Sequence, residues 1–174
     1  NEEKAIFVGA TQDNRIIKTT LIAEDDFNYD PEFEAEYLSE DFGFESVENI
    51  LITPDLAMAF IRSGNKITVV DLENENKIEI RTTINVAPES EFSVTTIALL
   101  SGGSSLLVGD SRGKVSQWFE ISTEQGRIFK EIRAFDVSDA EPITKIFTEQ
   151  YRKSFYTITP SGEMGMFYST SDAD

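Results

Sequence analysis

Apolar and polar residues alternate in short runs along most of this chain, and turns rich in Gly, Asn, Asp and Ser separate the runs. A period of two, with many β-branched and aromatic residues, predicts β-strands rather than helices. The clearest example is residues 106–119, two short strands joined by a turn from Asp110 to Gly113. Asp suits the first position of a type I turn, and Gly suits a following position that needs a positive φ. This segment therefore predicts a β-hairpin.

Four turn residues recur at almost one period. Gly64, Gly113 and Gly162 are 49 residues apart, and Asn14 stands 50 residues before Gly64. Each lies between the second and third strands of a predicted four-stranded unit. Antiparallel units of about 40–50 residues are typical of β-propeller blades. The predicted fold class is all-β, a WD40- or YVTN-type β-propeller fragment of about three and a half four-stranded blades.

The blade pattern divides the chain at three points. We predict a partial blade with an acidic insertion in residues 1–45, complete blades in 46–92 and 93–141, and a partial blade in 142–174, all in one propeller-like domain. Propellers normally close with about four to eight blades. We therefore expect either that a longer parent protein supplies the missing blades or that two copies pair through their open edges. The start at Asn1, without an initiator Met, favours the longer parent.

The composition favours a folded chain without the commonest catalytic groups. Hydrophobic residues make up 40% of the 174 residues, which is too many for a disordered chain. The chain has no Cys and no His, so thiolate chemistry, the Ser-His-Asp triad and His-based metal sites are excluded. No apolar run approaches the roughly 20 residues of a membrane helix. We expect no catalytic residue and no cofactor, and contact with a membrane only through helices outside this segment.

The formal net charge of −17 opposes binding to nucleic acid and to anionic membranes. The charge is uneven, because residues 1–100 carry 21 acidic and 7 basic residues, whereas residues 101–174 carry 11 and 8. Residues 24–45 contain ten acidic residues and no Lys or Arg. We interpret residues 24–45 as a solvated loop or insertion and not as a blade strand.

A calcium site is the alternative interpretation of the acidic segment. Asp26, Asn28 and Asp30 have the spacing of the first three ligands of an EF-hand loop. However, Pro31 stands at the position that requires Gly, and Tyr37 stands at that of the bidentate Glu. The flanking sequence does not predict helices either, so we expect no metal site here.

Two groups of side chains are candidates for binding. Arg112 and Lys114 flank one turn, and Arg152 and Lys153 lie in another. They are candidate contacts for an anion or an acidic partner, and the alternative is that they are solvated turn charges. Trp118 is predicted to pack in the core between adjacent blades, because an indole buries a large apolar area; the alternative is a platform for a ligand.

Several of these residues carry resemblances to known families. The strand from Gly113 to Phe119 resembles the Gly-x-apolar-x-x-Trp-Asp ending of WD repeats, although Phe119 replaces the Asp. Residues 105–119, with the string Val-Ser-Gln-Trp-Phe, and residues 151–155 and 161–171 together resemble the large soluble insertion in the permease subunit of proteobacterial phosphate ABC transporters. The similarity covers residues 93–171 best.

The resemblance implies an insertion between the first two membrane helices of the permease, on the periplasmic face of the bacterial inner membrane. We therefore expect a non-catalytic interaction domain that contributes to phosphate import by contacting other transporter subunits or the solute-binding protein. With its net charge of −17, the chain is not expected to hold phosphate tightly. The alternative is a propeller enzyme, or a carbohydrate- or ligand-binding module, with its site at the central channel.

Overall fold

All regular secondary structure is β-strand in the part of the chain that the structure, a computed structural model, describes. The described residues are 3–23, 32–74, 76–87, 91–124, 126–139, 141–149 and 151–169. In them, fourteen strands form four antiparallel sheets, two of four strands and two of three. These fourteen strands confirm the prediction of about three and a half four-stranded units. None of the described residues forms a helix that is long and apolar enough to cross a membrane.

The first sheet shows one prediction to be wrong. It contains β1 (Glu3–Ala10), β2 (Ile16–Ala23) and β3 (Glu32–Leu38), in that order. Strand β3 falls inside the acidic segment that we predicted to be a loop, and it pairs antiparallel with β2 from Leu38 to Glu32. Phe44 is also buried, with its ring 5.9 Å from that of Phe42. The high acidic content concealed the strand, because solvent-facing positions of an outer strand tolerate charge.

The second sheet is a complete four-stranded unit in the order of the sequence. It contains β4 (Asn49–Ile52), β5 (Met58–Ser63), β6 (Lys66–Asp71) and β7 (Glu79–Asn85). Four consecutive residues of β5 and of β6 are buried, whereas only one residue of β7 is. The two inner strands are therefore buried on both faces, and the outer strand is not.

The third and fourth sheets share one strand order. The third contains β8 (Val94–Leu100), β9 (Ser105–Asp110), β10 (Lys114–Thr123) and β11 (Gly126–Asp136). The fourth contains β12 (Lys145–Thr148), β13 (Ser154–Ile158) and β14 (Met164–Tyr168). Strand β14 pairs with β13 on one side and has no strand beyond it among the described residues. The fourth sheet therefore ends at the position that β10 occupies in the third.

The chain divides into two compact units, each with its own apolar cluster. One unit consists of residues 1–63 and 68–81, and the other of residues 64–67 and 82–174. The buried cluster of the first unit contains Ile16, Phe44, Ala59, Ile61, Val70, Leu72 and Ile78. That of the second contains Ala98, Leu100, Leu107, Val115, Ile143, Ile146 and Phe155. The second cluster joins the third sheet to the fourth.

Candidate functional site

The four turn residues that defined the repeat all have a positive φ. Asn14 has φ of 59°, Gly64 of 58°, Gly113 of 81° and Gly162 of 87°. L-residues with a side chain rarely adopt this left-handed region, and Gly and Asn adopt it most easily. The turns that end at Asn14, Gly113 and Gly162 also share a backbone hydrogen bond from that residue to the carbonyl oxygen three positions earlier, so positions in these three sheets can be compared one repeat apart.

Asp110 closes the turn of the third sheet with its side chain, as the sequence predicts. The residue is only 5% exposed, and its Oδ1 accepts hydrogen bonds from the backbone N–H groups of Arg112 (2.8 Å) and Lys114 (3.1 Å). A Cβ on Gly113 would lie 2.2 Å from the carbonyl oxygen of Ser138 and 2.7 Å from that of Glu141. The close approach of this neighbouring backbone explains why the turn requires glycine here.

The first pair of candidate basic residues is engaged within the chain. Arg112 donates from Nη2 to Asp110 Oδ2 over 2.6 Å, and its guanidinium carbon lies 3.5 Å from the centre of the Phe92 ring. The Nζ atom of Lys114 lies 2.8 Å from Asp136 Oδ1. A partner would therefore have to compete with existing intrachain contacts for both cations.

The second basic pair lies away from the first. Ile143 N donates to Asp110 O over 3.0 Å, and Thr95 Oγ1 donates to Ile143 O over 2.6 Å, so β12 starts beside the Asp110 turn. Arg152 and Lys153 follow the other end of β12, and Arg152 Nε lies 2.6 Å from Glu149 Oε2. The two pairs thus lie at opposite ends of their sheets and do not form one anion site.

Trp118 is partly buried and lies opposite the fully buried Leu106 of β9. Its Nε1 donates to Ser116 Oγ over 2.9 Å, so the two side chains share one face of β10. The other face carries Gln117, which is 1% exposed and bridges two serines: Nε2 donates to Ser105 Oγ (3.0 Å), and Oε1 accepts from Ser169 Oγ (2.8 Å). Sequence reasoning missed this buried amide, because nothing in the local sequence marks it as buried.

An aromatic cluster lies between the third and fourth sheets. Phe155 is fully buried, and its ring lies 5.1 Å from that of Phe135 and 5.4 Å from that of Phe167. Phe155 and Ile146, both from the fourth sheet, share the buried cluster with Leu107 of the third. One face of the third sheet is therefore covered by one face of the fourth.

The opposite face of the fourth sheet is an exposed apolar surface, which we call the terminal face. Phe147, Tyr156 and Met166 are direct neighbours across β12, β13 and β14. Met164 and Tyr168 lie two residues from Met166 in β14 and therefore share its side of the sheet. The exposed fractions are 43% for Phe147, 41% for Tyr156, 66% for Met164, 50% for Met166 and 57% for Tyr168.

The repeat identifies the counterpart of the terminal face in the third sheet. Counting back 49 residues from Phe147, Tyr156 and Met164 gives Ala98, Leu107 and Val115. The pairing agrees, because Leu107 lies opposite Ala98 just as Tyr156 lies opposite Phe147. Ala98 is 6% exposed, and Leu107 and Val115 are fully buried under the fourth sheet. The terminal face is thus the uncovered copy of a surface that is covered one repeat earlier.

The first sheet exposes a phenylalanine whose repeat counterpart in the fourth sheet is buried. Phe7 occupies the repeat position of Phe155, since each stands seven residues before its turn residue, Asn14 or Gly162. Phe7 pairs with Thr19, as Phe155 pairs with Phe167. Phe155 is fully buried, whereas Phe7 is 57% exposed.

Glu141 connects the segment after β11 to the turn of the fourth sheet. Its Oε2 accepts hydrogen bonds from Ser161 Oγ (2.7 Å) and Ser161 N (3.3 Å). Hydrogen bonds from the side chains of Thr159 and Ser161 hold the pKa of Glu141 below its usual value. This carboxylate therefore helps to position the fourth sheet.

No metal-binding cluster of acidic side chains was found in the described part of the chain. The EF-hand-like positions Asp26, Asn28, Asp30 and Pro31 lie outside the described residues. Tyr37, which stands at the twelfth position of that pattern, is a partly buried residue of β3 that packs against the first cluster.

Comparison with known proteins identifies the fold. No protein-family model matches the chain, and no curated protein matches it either. The crystal structure of the WD40 domain of SCAP from fission yeast matches with a TM-score of 0.67 and 13% sequence identity, over 98% of this chain and 39% of that one. The Myceliophteria thermophila Cps50 (Swd1) beta-propeller domain matches with a TM-score of 0.63 and 8% identity, over 97% of this chain and 52% of that one.

The similarity confirms the predicted fold class, an all-β chain with a partial β-propeller fold like that of WD40 domains. It spans about two fifths and about half of the two chains that it matches. At 13% and 8% identity, the comparison describes the fold alone, because one fold serves many unrelated functions.

Proposed function

We propose that this chain is a non-catalytic protein-interaction domain of a phosphate ABC transporter permease. In this role it lies on the periplasmic face of the inner membrane and contributes to phosphate import by contacting other transporter subunits or the solute-binding protein. The resemblance of residues 93–171 to the permease insertion supplies the transporter context. The terminal face is the observation that carries the interaction role.

The chemistry of the terminal face suits a protein partner. Met and aromatic residues are enriched at protein–protein interfaces, and all five residues of this face are of those types. The repeat counterparts under the fourth sheet are Ala98, Leu107 and Val115, which are smaller and apolar, and Gln117, a buried amide at the position of Met166. Tyr156 and Tyr168 add hydroxyl groups, and that of Tyr168 donates to Met166 Sδ over 3.8 Å within this face. The sequence of this face thus differs from that of a buried inter-sheet core.

Tight phosphate binding by this domain is not part of the proposal. Arg112, Lys114 and Arg152 each lie within 3 Å of a carboxylate oxygen of the same chain. The net charge of −17 repels phosphate from the surface as a whole. Calorimetric titration with inorganic phosphate is expected to give no heat above that of dilution.

Binding measurements on the 174-residue chain test the interaction role. The immobilised chain is exposed to the purified solute-binding protein of the transporter, to the permease and to the chain itself. We expect protein binding that Met166→Asp abolishes, because a carboxylate in the middle of the terminal face would be buried without a partner. Ile128→Asp is the matched control, because Ile128 is 43% exposed on β11, away from that face. Binding of phosphate without binding of any protein would contradict the proposal, as would equal loss in both variants.

A further inference from the structure

We infer that the terminal face binds the first sheet of a second copy of this chain, with Phe7 of one copy seated on Tyr156 and Met164 of the other. The inference rests on the proposed function, because it names the protein that covers the terminal face. The contact is head-to-tail, since it joins two different surfaces of the same chain.

The repeat supplies the first argument. Inside the second unit, the fourth sheet inserts Phe155 into a cluster with Leu107 and Val115 of the third sheet. Phe7 is the repeat counterpart of Phe155, and Tyr156 and Met164 are those of Leu107 and Val115. Phe7 and the terminal face are therefore the two halves of a contact that the chain already makes once, and both halves are exposed.

The shape of the first sheet supports insertion of Phe7. Ala5 and Gly9 lie two residues to either side of Phe7 in β1 and share its face of the strand. Because both neighbours are small, the Phe7 ring projects above the strand on which it stands. Gly9 lies opposite Ile17 of β2, and Ile17 lies opposite Leu38 of β3, so Leu38 is on the same face of the sheet. Leu38 is 37% exposed. The face thus presents one prominent ring with Leu38 to one side, while Thr19 and then Glu36 occupy the register positions directly across the sheet from Phe7.

Charge favours the head-to-tail arrangement over pairing of two first sheets. Residues 1–45 contain thirteen acidic and three basic residues, whereas residues 142–174 contain four and three. Lys145 lies beside the terminal face, with its Nζ atom 5.0 Å from the centre of the Phe147 ring. Two first sheets would repel each other, but the first sheet of one copy meets a nearly balanced surface on the other. Moderate salt should therefore not weaken the contact, because apolar burial is not screened whereas the repulsion between two chains of net charge −17 is.

A head-to-tail contact makes a prediction that a symmetric contact does not. Phe7→Asp damages one surface and leaves the terminal face intact, whereas Met166→Asp does the reverse. Each variant alone should therefore associate more weakly, while an equimolar mixture of the two should form a heterodimer that cannot grow further. In a symmetric pairing of two terminal faces, Phe7→Asp would associate normally and the mixture would gain nothing.

Sedimentation velocity and light scattering over a wide range of protein concentration provide the test. We expect the unmodified chain to associate reversibly. Each single variant should weaken this association by about tenfold to a hundredfold. The mixture should recover a one-to-one complex. Phe7 and Met166 are at least half exposed, so both variants should keep the circular dichroism and unfolding midpoint of the unmodified chain. Ile128→Asp should associate normally.

The possible failures are distinguishable. A monomer at the highest concentration would overturn the inference, and so would variants whose mixture does not associate. If the solute-binding protein or the permease then binds the chain and Met166→Asp removes that binding, the interaction function stands and only the second copy is excluded. If neither association nor protein binding occurs, both proposals fail.

Discussion

The third and fourth sheets carry the same face in the same register, 49 residues apart, but only one of the two faces is covered. Leu107 is fully buried, and its counterpart Tyr156 is 41% exposed. Each residue lies opposite a neighbour on the first strand of its sheet, Ala98 of β8 or Phe147 of β12. The strands of the two sheets also have the same order and direction. Burial in this fold therefore depends on whether another sheet lies above a strand and not on the strand itself.

The two sheets also differ in how tightly their equivalent turns are held. Gly113 lies against the backbone of Ser138 and Glu141, whereas the space beside Gly162 is open. Asp110 fixes the first turn with four hydrogen bonds, and Thr159 occupies the same position in the second. Paired substitutions at equivalent positions can therefore measure how much each neighbouring segment contributes to the free energy of unfolding.

The largest difference is expected between Gly113→Ala and Gly162→Ala. A methyl group at Gly113 would overlap two backbone oxygens, which cannot move without displacing the segment between the sheets. We expect a loss of about 4 kcal/mol or more in the free energy of unfolding. Gly162→Ala meets no neighbour and should cost only the strain of a left-handed residue, about 1–2 kcal/mol. Urea unfolding of both variants measures the difference, and equal losses would contradict the proposed role of the close approach.

Phe155→Ala and Tyr156→Ala compare the two faces of β13. Phe155 is fully buried among Phe135 and Phe167, so its truncation leaves a cavity and should cost about 3–5 kcal/mol. Tyr156 is exposed, and its truncation should change the stability of the monomer by about 0.5 kcal/mol. Unfolding is followed at low protein concentration, so that self-association does not contribute. A large loss for Tyr156→Ala would mean that the terminal face is already covered within one chain.

Asp110→Ala and Thr159→Ala compare the side chains that precede the two turns. The change at Asp110 removes the acceptor for two backbone N–H groups and for the Arg112 guanidinium. We expect a cost of about 1–3 kcal/mol. Thr159 interacts through Oγ1 with Ser161 Oγ over 3.1 Å, and its loss should cost about 1 kcal/mol. Thermal unfolding with Asp110→Asn as an intermediate variant separates the charge from the shape, and a neutral Asp110→Ala would refute this role.

The smallest effect is expected for the pH dependence of stability that comes from the hydrogen bonds between Glu141 and Ser161. The folded pKa of Glu141 is lowered by hydrogen bonds from Thr159 and Ser161. Its contribution is therefore complete above the ordinary pKa of glutamate, about 4.3, and is lost as the pH falls through the lower folded pKa. Glu141→Gln should flatten the decline of the urea midpoint between about pH 5 and about pH 3. Ser161→Ala should have little further effect in the Gln variant, and an additive effect would show that the two residues act separately.

Much of the fold could be predicted because its signals are local. The strands around the Gly113 turn were recognisable from alternation, and the turns at Gly64 and Gly162 from their spacing. The exception is β3, where the acidic composition suggested a solvated loop. A strand that pairs with only one neighbour can carry charge on its exposed positions, so composition alone misleads there.

Less of the candidate site could be predicted. The sequence drew attention to Arg112 and Lys114, but both are occupied by Asp110 and Asp136 in the fold. It gave no reason to select Phe7 or Met166, because each resembles the buried apolar residues elsewhere in the repeat. The sequence marks a charged residue as a candidate contact whether or not a carboxylate of the same chain already pairs with it. An exposed apolar residue, in contrast, cannot be distinguished by sequence from a residue of the core.

The sequence by itself determined the strands, the turns and the 49-residue period. The physical reason is that a left-handed glycine and a period-two alternation act between residues that are close along the chain. Only the tertiary structure decided which faces are covered, that Asp110 and Gln117 are buried, and that Phe7 and the terminal face are exposed. Burial is decided by segments that lie tens of residues away, such as Phe155 above Leu107, and no local pattern encodes which of two equivalent faces receives such a neighbour.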